Sequence, residues 1–245
     1  MRFGECVALV TGAATGIGRA TAQRLATEGA RVVCGIESEA QTAPAGLEGL
    51  VLDIREPESW RRAVARIVAR HGGLDVLVNN AGIRRPGAAD GIARAAWDET
   101  IAVNLTGTFL GCREVVPVMR RGGGGAIINL ASFTGIRAAP GVVAYAASKG
   151  GVVALTMAMA LDHAKDGIRV NCVCPGMVDT PMSRHAFDHT DDPVAAYRAT
   201  LGKHPMGRIA EPEEVAGVIA YLASGDAGFV TGQAVAVDGG RTVAG

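Results

Sequence analysis

Short apolar runs alternate with helix-spaced stretches along the whole chain, and that alternation leaves few folds open. Cys6–Val10 is an apolar run of the kind buried on both faces of a sheet. A glycine-rich turn follows, then Arg19–Glu28 with helical spacing, ended by Gly29. Arg31–Ile36 and Gly49–Ile54 read as the second and third strands. Between them, Glu37–Glu48 is too short, and too broken by Pro44 and Gly46, for a long helix. Glu58–His71 is amphipathic, with Trp60, Val64, Ile67 and Val68 on one face. Asp75–Val78 is the fourth strand, and Trp97–Arg120 a long helical stretch with a bend expected near Pro117. Ala126–Leu130, Ile168–Val173 and Ala234–Val237 complete seven strands, with helices over Val143–Lys165 and Val215–Leu222. Strands and helices in this order specify an α/β fold: a doubly wound, seven-stranded parallel sheet with helices on both faces. Ligands of such sheets bind at the carboxyl ends of the strands, near the point where the strand order reverses.

Composition narrows the function classes. The 245 residues carry no linker or charge block, so residues 1–245 read as one domain. Lys plus Arg and Asp plus Glu are 24 each, so the basic excess of a nucleic-acid or anionic-membrane binder is missing. A hydrophobic share of 49% excludes wholesale disorder. The apolar run at Cys6–Val10 is too short for a signal-peptide core, and Gly150–Leu161, closed by Lys149 and Asp162, is too short to span a bilayer. The five cysteines form no C-x-x-C pair, which reads as buried, reduced thiols of a cytoplasmic protein.

Chemistry-bearing motifs fall just after the strands. Thr11-Gly12-Ala13-Ala14-Thr15-Gly16-Ile17-Gly18 follows the first strand and opens a helix. Glycines there permit a tight turn and let backbone amides approach a pyrophosphate, while the helix aims its positive end at that charge. No Gly-Lys-Ser/Thr follows, so this is not a P-loop. Asn79-Asn80-Ala81-Gly82 ends strand four, Asn104 lies in the long helix, and Ser132 ends strand five. Tyr145-Ala-Ala-Ser-Lys149 opens the next helix, and Pro175-Gly176-Met-Val-Asp-Thr180 follows strand six.

Together these motifs resemble the short-chain dehydrogenase/reductase family over essentially the whole chain. Tyr145 and Lys149 are four apart on one helix, so their side chains share a face. A free tyrosine, with a pKa of about 10, is ionised in only about one molecule per thousand at neutral pH. A nearby ammonium, and the positive nicotinamide of an oxidised cofactor, favour the phenolate and make Tyr145 a usable general acid/base. The resemblance implies that Tyr145 exchanges the alcohol proton, Ser132 hydrogen-bonds the substrate oxygen, Lys149 also holds the nicotinamide ribose, and Asn104 orders a water in the proton path. It assigns the cofactor to Gly12, Thr15, Gly16, Ile17 and Gly18 of the turn, and to Asn80, Ala81 and Gly82 after strand four. Pro175, Gly176, Val178 and Thr180 after strand six join Tyr145 and Lys149 in that set. Relatives are commonly homotetramers, and Gly150–Leu161 is rich in the small and apolar residues of a buried interface helix.

The end of strand two reads the adenosine ribose in such folds. Here Ile36 takes the position usually held by Asp, and Glu37 comes one later. Thr15 stands where a basic residue of the turn would meet a 2′-phosphate, and no positive group is evident for one. An inward Glu37 would repel that phosphate by about 4 kcal/mol at 4 Å and an effective dielectric of 20. NAD is therefore expected over NADP, with Asp53 and Ile54 flanking the adenine.

Two departures from the family pattern stand out. The Glu37–Glu48 connection is short, so an outer helix is reduced or absent, and Gly122–Gly125 replaces a basic residue frequent in carrier-protein-linked reductases. The segment from Met177 to Gly207 is expected to cap the substrate with Met182, His185, Phe187, His189 and Tyr197. His185 and His189, with Asp188, Asp191 and Asp192, read as a solvated flap rather than a metal site, so no metal is expected. Arg84, Arg85 and Arg137 stand where they could meet an anionic substrate, and Phe133, Val142 and Val143 suggest partly apolar walls. The reading is an NAD-dependent dehydrogenase of a secondary alcohol or its ketone: a sugar, a cyclic alcohol or a hydroxy acid. The alternatives are an NADPH-dependent 3-oxoacyl carrier-protein reductase and, outside enzymes, a dinucleotide-sensing scaffold.

Overall fold

The computed structural model describes residues 1–188 and 192–244. Seven parallel strands form one sheet: β1 (Val7–Thr11), β2 (Arg31–Ile36), β3 (Glu48–Val51), β4 (Val76–Asn79), β5 (Gly125–Leu130), β6 (Ile168–Pro175) and β7 (Ala234–Val237). Their order is β3-β2-β1-β4-β5-β6-β7, so the chain winds outward from β1 and returns to β4 on its other side. The reversal between β1 and β4 opens a crevice at the carboxyl ends.

Period-two alternation assigns each strand residue to a face. Leu9, Val33, Leu77 and Ile127 pack with Trp60 and Ile67 of α2 (Pro57–His71) and with Val115 and Met119 of α4 (Gly107–Gly122). Ala8, Val10, Val78 and Ile128 face the other way, onto Ala22 and Leu25 of α1 (Gly16–Thr27) and Val215 and Ile219 of α8 (Pro212–Ala223). Fully burying such a Leu or Ile contributes roughly 1.5–3 kcal/mol. Trp60 is fully enclosed, and its indole N–H is satisfied by the Ile54 carbonyl at 3.0 Å.

Several expected boundaries move by a few residues: β1 starts at Val7, and β3 ends at Val51 rather than Ile54. The long helical stretch is three pieces, α3 (Arg94–Ile101), a π turn over Ala102–Thr106, and α4. Pro117 lies inside α4, which continues to Gly122, so the irregularity falls at Asn104 and not at the proline. Among the described residues no helix lies between β2 and β3, as the short Glu37–Glu48 connection implied. α5 (Val143–His163) with its 3-10 extension, residues 143–166, is long and apolar enough to cross a membrane, but it lies along the sheet with Val152 and Thr156 fully buried. The 177–207 segment contributes α6 (Pro181–Asp188) and α7 (Pro193–Leu201), joined by edge-on packing of Phe187 against Tyr197 at 5.7 Å. His189 and Asp191 lie outside the described residues.

Candidate active site

The carboxyl ends of the strands open into a cleft of about 810 Å³. Its floor is the turn after β1. Gly12 has φ +63°, and a Cβ there would meet the Ala81 backbone at 2.9 Å. Gly12, Thr15, Gly16 and Ile17 line the cleft. Gly18 does not: a Cβ at Gly18 would lie 2.3 Å from the Gly12 carbonyl oxygen, so its place is close packing of α1 under the turn.

The Asn-Asn-Ala-Gly segment is stitched to this turn. Thr11 Oγ1 accepts from the amides of Asn80 and Ala81, each at 3.0 Å. Asn80 Nδ2 returns a bond to the Thr11 carbonyl at 2.8 Å. Asn79 instead points away, donating to Asn129 Oδ1 at 2.9 Å inside the core. Asn80, Ala81 and Gly82 therefore form a fixed second wall.

Ser132, Tyr145 and Lys149 line the same cleft. Ser132 follows β5 and caps a 3-10 turn, accepting from the Thr134 amide at 3.2 Å. α5 starts where the Val143 amide bonds the Gly87 carbonyl at 3.1 Å, which fixes the height of Tyr145 in the site. Lys149 is 4% exposed, its Nζ donates to the Leu130 carbonyl at 2.5 Å and lies 5.7 Å from the Tyr145 ring centre. Burial pulls the lysine down to about 8. Burial raises the Tyr145 phenol above its ordinary value, while a hydrogen bond with Ser132 and the Arg84 charge pull it the other way. The expected lowering of Tyr145 by its lysine neighbour is thus not met in the protein alone, because desolvation dominates both groups.

Asn104 is fully buried and is not a wall of the cleft. Its Oδ1 accepts the Ile83 amide at 2.8 Å, and its Nδ2 donates to the Ile83 carbonyl at 2.9 Å and to Ser148 Oγ at 3.0 Å. The π turn presents it to the loop after β4, one residue beyond Gly82.

Pro175, Gly176, Val178 and Thr180 close the cleft after β6. Val178 is bridged to Ala210, and Thr180 bonds Ser183. His204, 3% exposed, fastens this loop: its Nε2 accepts the Met177 amide at 3.2 Å, and Nδ1 then donates to the Thr200 carbonyl at 2.8 Å. Met182 and Phe187 of α6 face the cleft, whereas His185 and Tyr197 are not among its lining residues. Phe133 and Val142 supply apolar wall; Val143 does not.

At the β2–β3 end, Ile36, Glu37, Asp53 and Ile54 all line the cleft. So does Arg55, a cation that the motifs of strand two and the glycine turn do not point to. Asp53 holds it through Nε at 2.9 Å and Nη2 at 2.6 Å, which lowers the carboxyl and raises the guanidinium. Glu37 adds to the field on Arg55. Asp53 by direct contact, and Glu37 and Glu56 through their charge, thus surround one guanidinium. Of the three arginines expected near substrate, Arg84 and Arg85 line the cleft, but Arg85 is held by Glu99 at 2.8 Å. Arg137 turns away to bond the carbonyls of the C-terminal tail, including Thr242 at 2.9 Å. Arg241 and Lys203, both unforeseen, stand in the lining instead.

A family model described as enoyl-(acyl carrier protein) reductase matches residues 12–242. The chain is 40% identical to 3-oxoacyl-[acyl-carrier-protein] reductase FabG of Thermotoga maritima, over 99% of this chain and 100% of that one. It is also 40% identical to trans-4-hydroxycyclohexanecarboxylate dehydrogenase of Sinomonas cyclohexanicum, over 98% and 94%. The solved structure of ligand-free aldohexose dehydrogenase from Thermoplasma acidophilum superimposes with a TM-score of 0.94 at 34% identity, covering 99% of this chain and 96% of that one. The chain belongs to the short-chain dehydrogenase/reductase family. As a short-chain dehydrogenase/reductase it is an oxidoreductase acting on CH–OH groups with a nicotinamide cofactor. The glycine floor fits such a dinucleotide, since side chains at Gly12 or Gly18 would collide with the walls that form the crevice.

Proposed function

We propose that this protein is an NAD(H)-dependent dehydrogenase of a secondary alcohol or its ketone, with Tyr145 as general acid/base. The observation that carries it is the placement of Ser132, Tyr145 and Lys149 in one cleft with the glycine turn. When bound, the nicotinamide supplies the two-electron acceptor for the alcohol carbon. Gly12, Thr15, Gly16 and Ile17 hold its diphosphate end; Asn80, Ala81, Gly82, Pro175, Gly176, Val178 and Thr180 hold the remainder of the groove. Ser132 Oγ donates to the substrate oxygen and orients it. Tyr145 Oη takes the alcohol proton during oxidation and returns it during reduction. Lys149 Nζ holds the ribose hydroxyls and favours the phenolate when charged. Asn104 fixes the Ile83 backbone and so the loop beside the reacting residues. Met182 and Phe187 of α6 shield the reacting atoms from bulk water.

Glu37 and Asp53 outweigh Arg55 at the adenosine end, which supports NAD over NADP. Arg55 also supports the second reading, an NADPH-dependent 3-oxoacyl carrier-protein reductase like the Thermotoga maritima relative. The relatives' names suggest a cyclic alcohol, a sugar or a hydroxy acid as substrate. Cys34 is pushed up to about 11 and Cys112 to about 12 by burial, as inert thiols of a cytoplasmic enzyme would be. Phe109, Met157 and Leu161 are exposed apolar residues on α4 and α5, which suits a homotetramer, and a sedimentation run showing only 25.0 kDa particles would remove that assembly.

The deciding experiment titrates the protein with NADH and NADPH side by side by nicotinamide fluorescence, then screens secondary alcohols with NAD. Tighter NADH binding and oxidation of a panel member are expected. Tighter NADPH binding would favour the reductase reading; binding of neither would defeat both.

A further inference from the structure

We propose that Arg241 is the anion-binding residue at the substrate end of the cleft, and that the alcohol or ketone this enzyme takes carries a carboxylate. This rests on the reading of the cleft as the alcohol site. The charges in the cleft are segregated. Its lining carboxylates are Glu37 and Asp53 at the adenosine end, and Glu99, already committed to Arg85. Around the reacting residues stand Arg84, Lys203 and Arg241, and no ion pair is formed by any of them among the described residues.

Arg241 is the one of the three that is built into place. Its guanidinium lies over the Phe133 ring at 3.9 Å, next in sequence to Ser132. The tail that carries it is folded back by Asp238, whose oxygens accept the Gly240 amide at 3.0 Å and the Thr242 amide at 2.7 Å. Arg137 clamps the same tail from the 3-10 turn side through the carbonyls of Thr242 and Ala244. Asp238 lies close enough to favour the Arg241 charge and Arg137 to oppose it, but the Asp238 oxygens are occupied by backbone amides. The guanidinium is thereby half-buried, partly stripped of water, held over a ring and without a carboxylate partner among the described residues. The guanidinium donates no side-chain hydrogen bond among the described residues, and its fork matches a carboxylate in two parallel bonds. Arg84 and Lys203, both exposed, add attraction at the mouth rather than a fitted contact.

The rival source of an anion is the cofactor's diphosphate, and one experiment separates the two. Binding of 4-oxopentanoate and of its methyl ester is measured by calorimetry on the NADH-saturated protein, on wild type, Arg241→Gln and Arg241→Lys, with NADH affinity measured by fluorescence in each. Wild type is expected to bind the acid at least tenfold tighter than the ester. Arg241→Gln should abolish that preference, Arg241→Lys should keep part of it, and NADH affinity should change less than twofold. Equal binding of acid and ester by wild type overturns the proposal, as does an unchanged preference in Arg241→Gln. A parallel loss of NADH affinity assigns the residue to the diphosphate and also overturns it. The readout needs no turnover: if NADH does not bind, the dinucleotide reading fails, while acid-over-ester preference is still read on the protein alone.

Discussion

Asn104 grips both backbone groups of Ile83, taking its amide at 2.8 Å and giving to its carbonyl at 2.9 Å. A fully buried side chain in a π turn thus sets the course of the loop that continues the Asn-Asn-Ala-Gly wall. Asn104→Ala removes the partner of the half-buried Ile83 amide and carbonyl and a partner of the buried Ser148 hydroxyl, and an orphaned group costs roughly 1–3 kcal/mol. We expect a loss of about 2–3 kcal/mol in denaturant unfolding, together with weakened cofactor binding, since the wall itself shifts.

Tyr145→Phe removes one hydroxyl from the cleft and leaves the aromatic wall in place. General acid/base contributions are about 10²–10⁴-fold, so turnover should fall by about that factor. NADH affinity, measured by fluorescence, should stay within a few-fold. Near-normal turnover would sink the role proposed for this residue.

Lys149 makes the ligand-free protein sensitive to pH. Burial holds its ammonium down to about 8 from an ordinary 10.5. The unfolded chain therefore binds the proton more tightly than the folded one between those values, and stability from this group rises as pH rises through that window. Below about pH 8 the full penalty, on the order of 3 kcal/mol, is present. Lys149→Met should be most stabilising, relative to wild type, at pH 7, and that advantage should fade by pH 10.5. Urea unfolding of both proteins across pH 7–10.5 checks the sign; a difference that does not vary with pH would contradict it.

Glu37→Ala leaves the Asp53–Arg55 pair in place and removes one carboxylate from its field. Removing one like charge near a 2′-phosphate should raise NADPH affinity by at least tenfold and leave NADH affinity within a few-fold. Side-by-side fluorescence titrations read this directly, and an unchanged NADPH affinity would show that Glu37 faces solvent.

What was legible in the sequence follows from the range of the interactions that fix it. β7 (Ala234–Val237) and β2 (Arg31–Ile36) match their expected spans because short β-branched runs between turn residues are local signals. The π turn was not legible, because i+4 and i+5 bonding leave the same apolar pattern, and Pro117 drew attention to the wrong place. Arg55 does carry a local signal, an acid and a base two apart after a strand, but such a pair is common at strand ends. Arg241 carried none: its meaning comes from Phe133, which only the tertiary fold brings beneath it. The four motif residues fared unevenly for the same reason. Ser132, Tyr145 and Lys149 reach the cleft from strand and helix ends, while Asn104 acts through a backbone its own sequence neighbourhood does not contain.

The connection from β2 to β3 has one further consequence. Without a helix there, Glu37 to Gly46 is nearly all surface, with Pro44 its one buried residue. The Tyr145 and Lys149 region is the opposite, embedded in packed helix and sheet. Residues of that stretch can therefore be exchanged at little expense to folding, whereas around Tyr145 and Lys149 almost any exchange is felt. On the role proposed for Glu37, a lineage carrying this fold is free to drift between nicotinamide pools while its reaction stays the same.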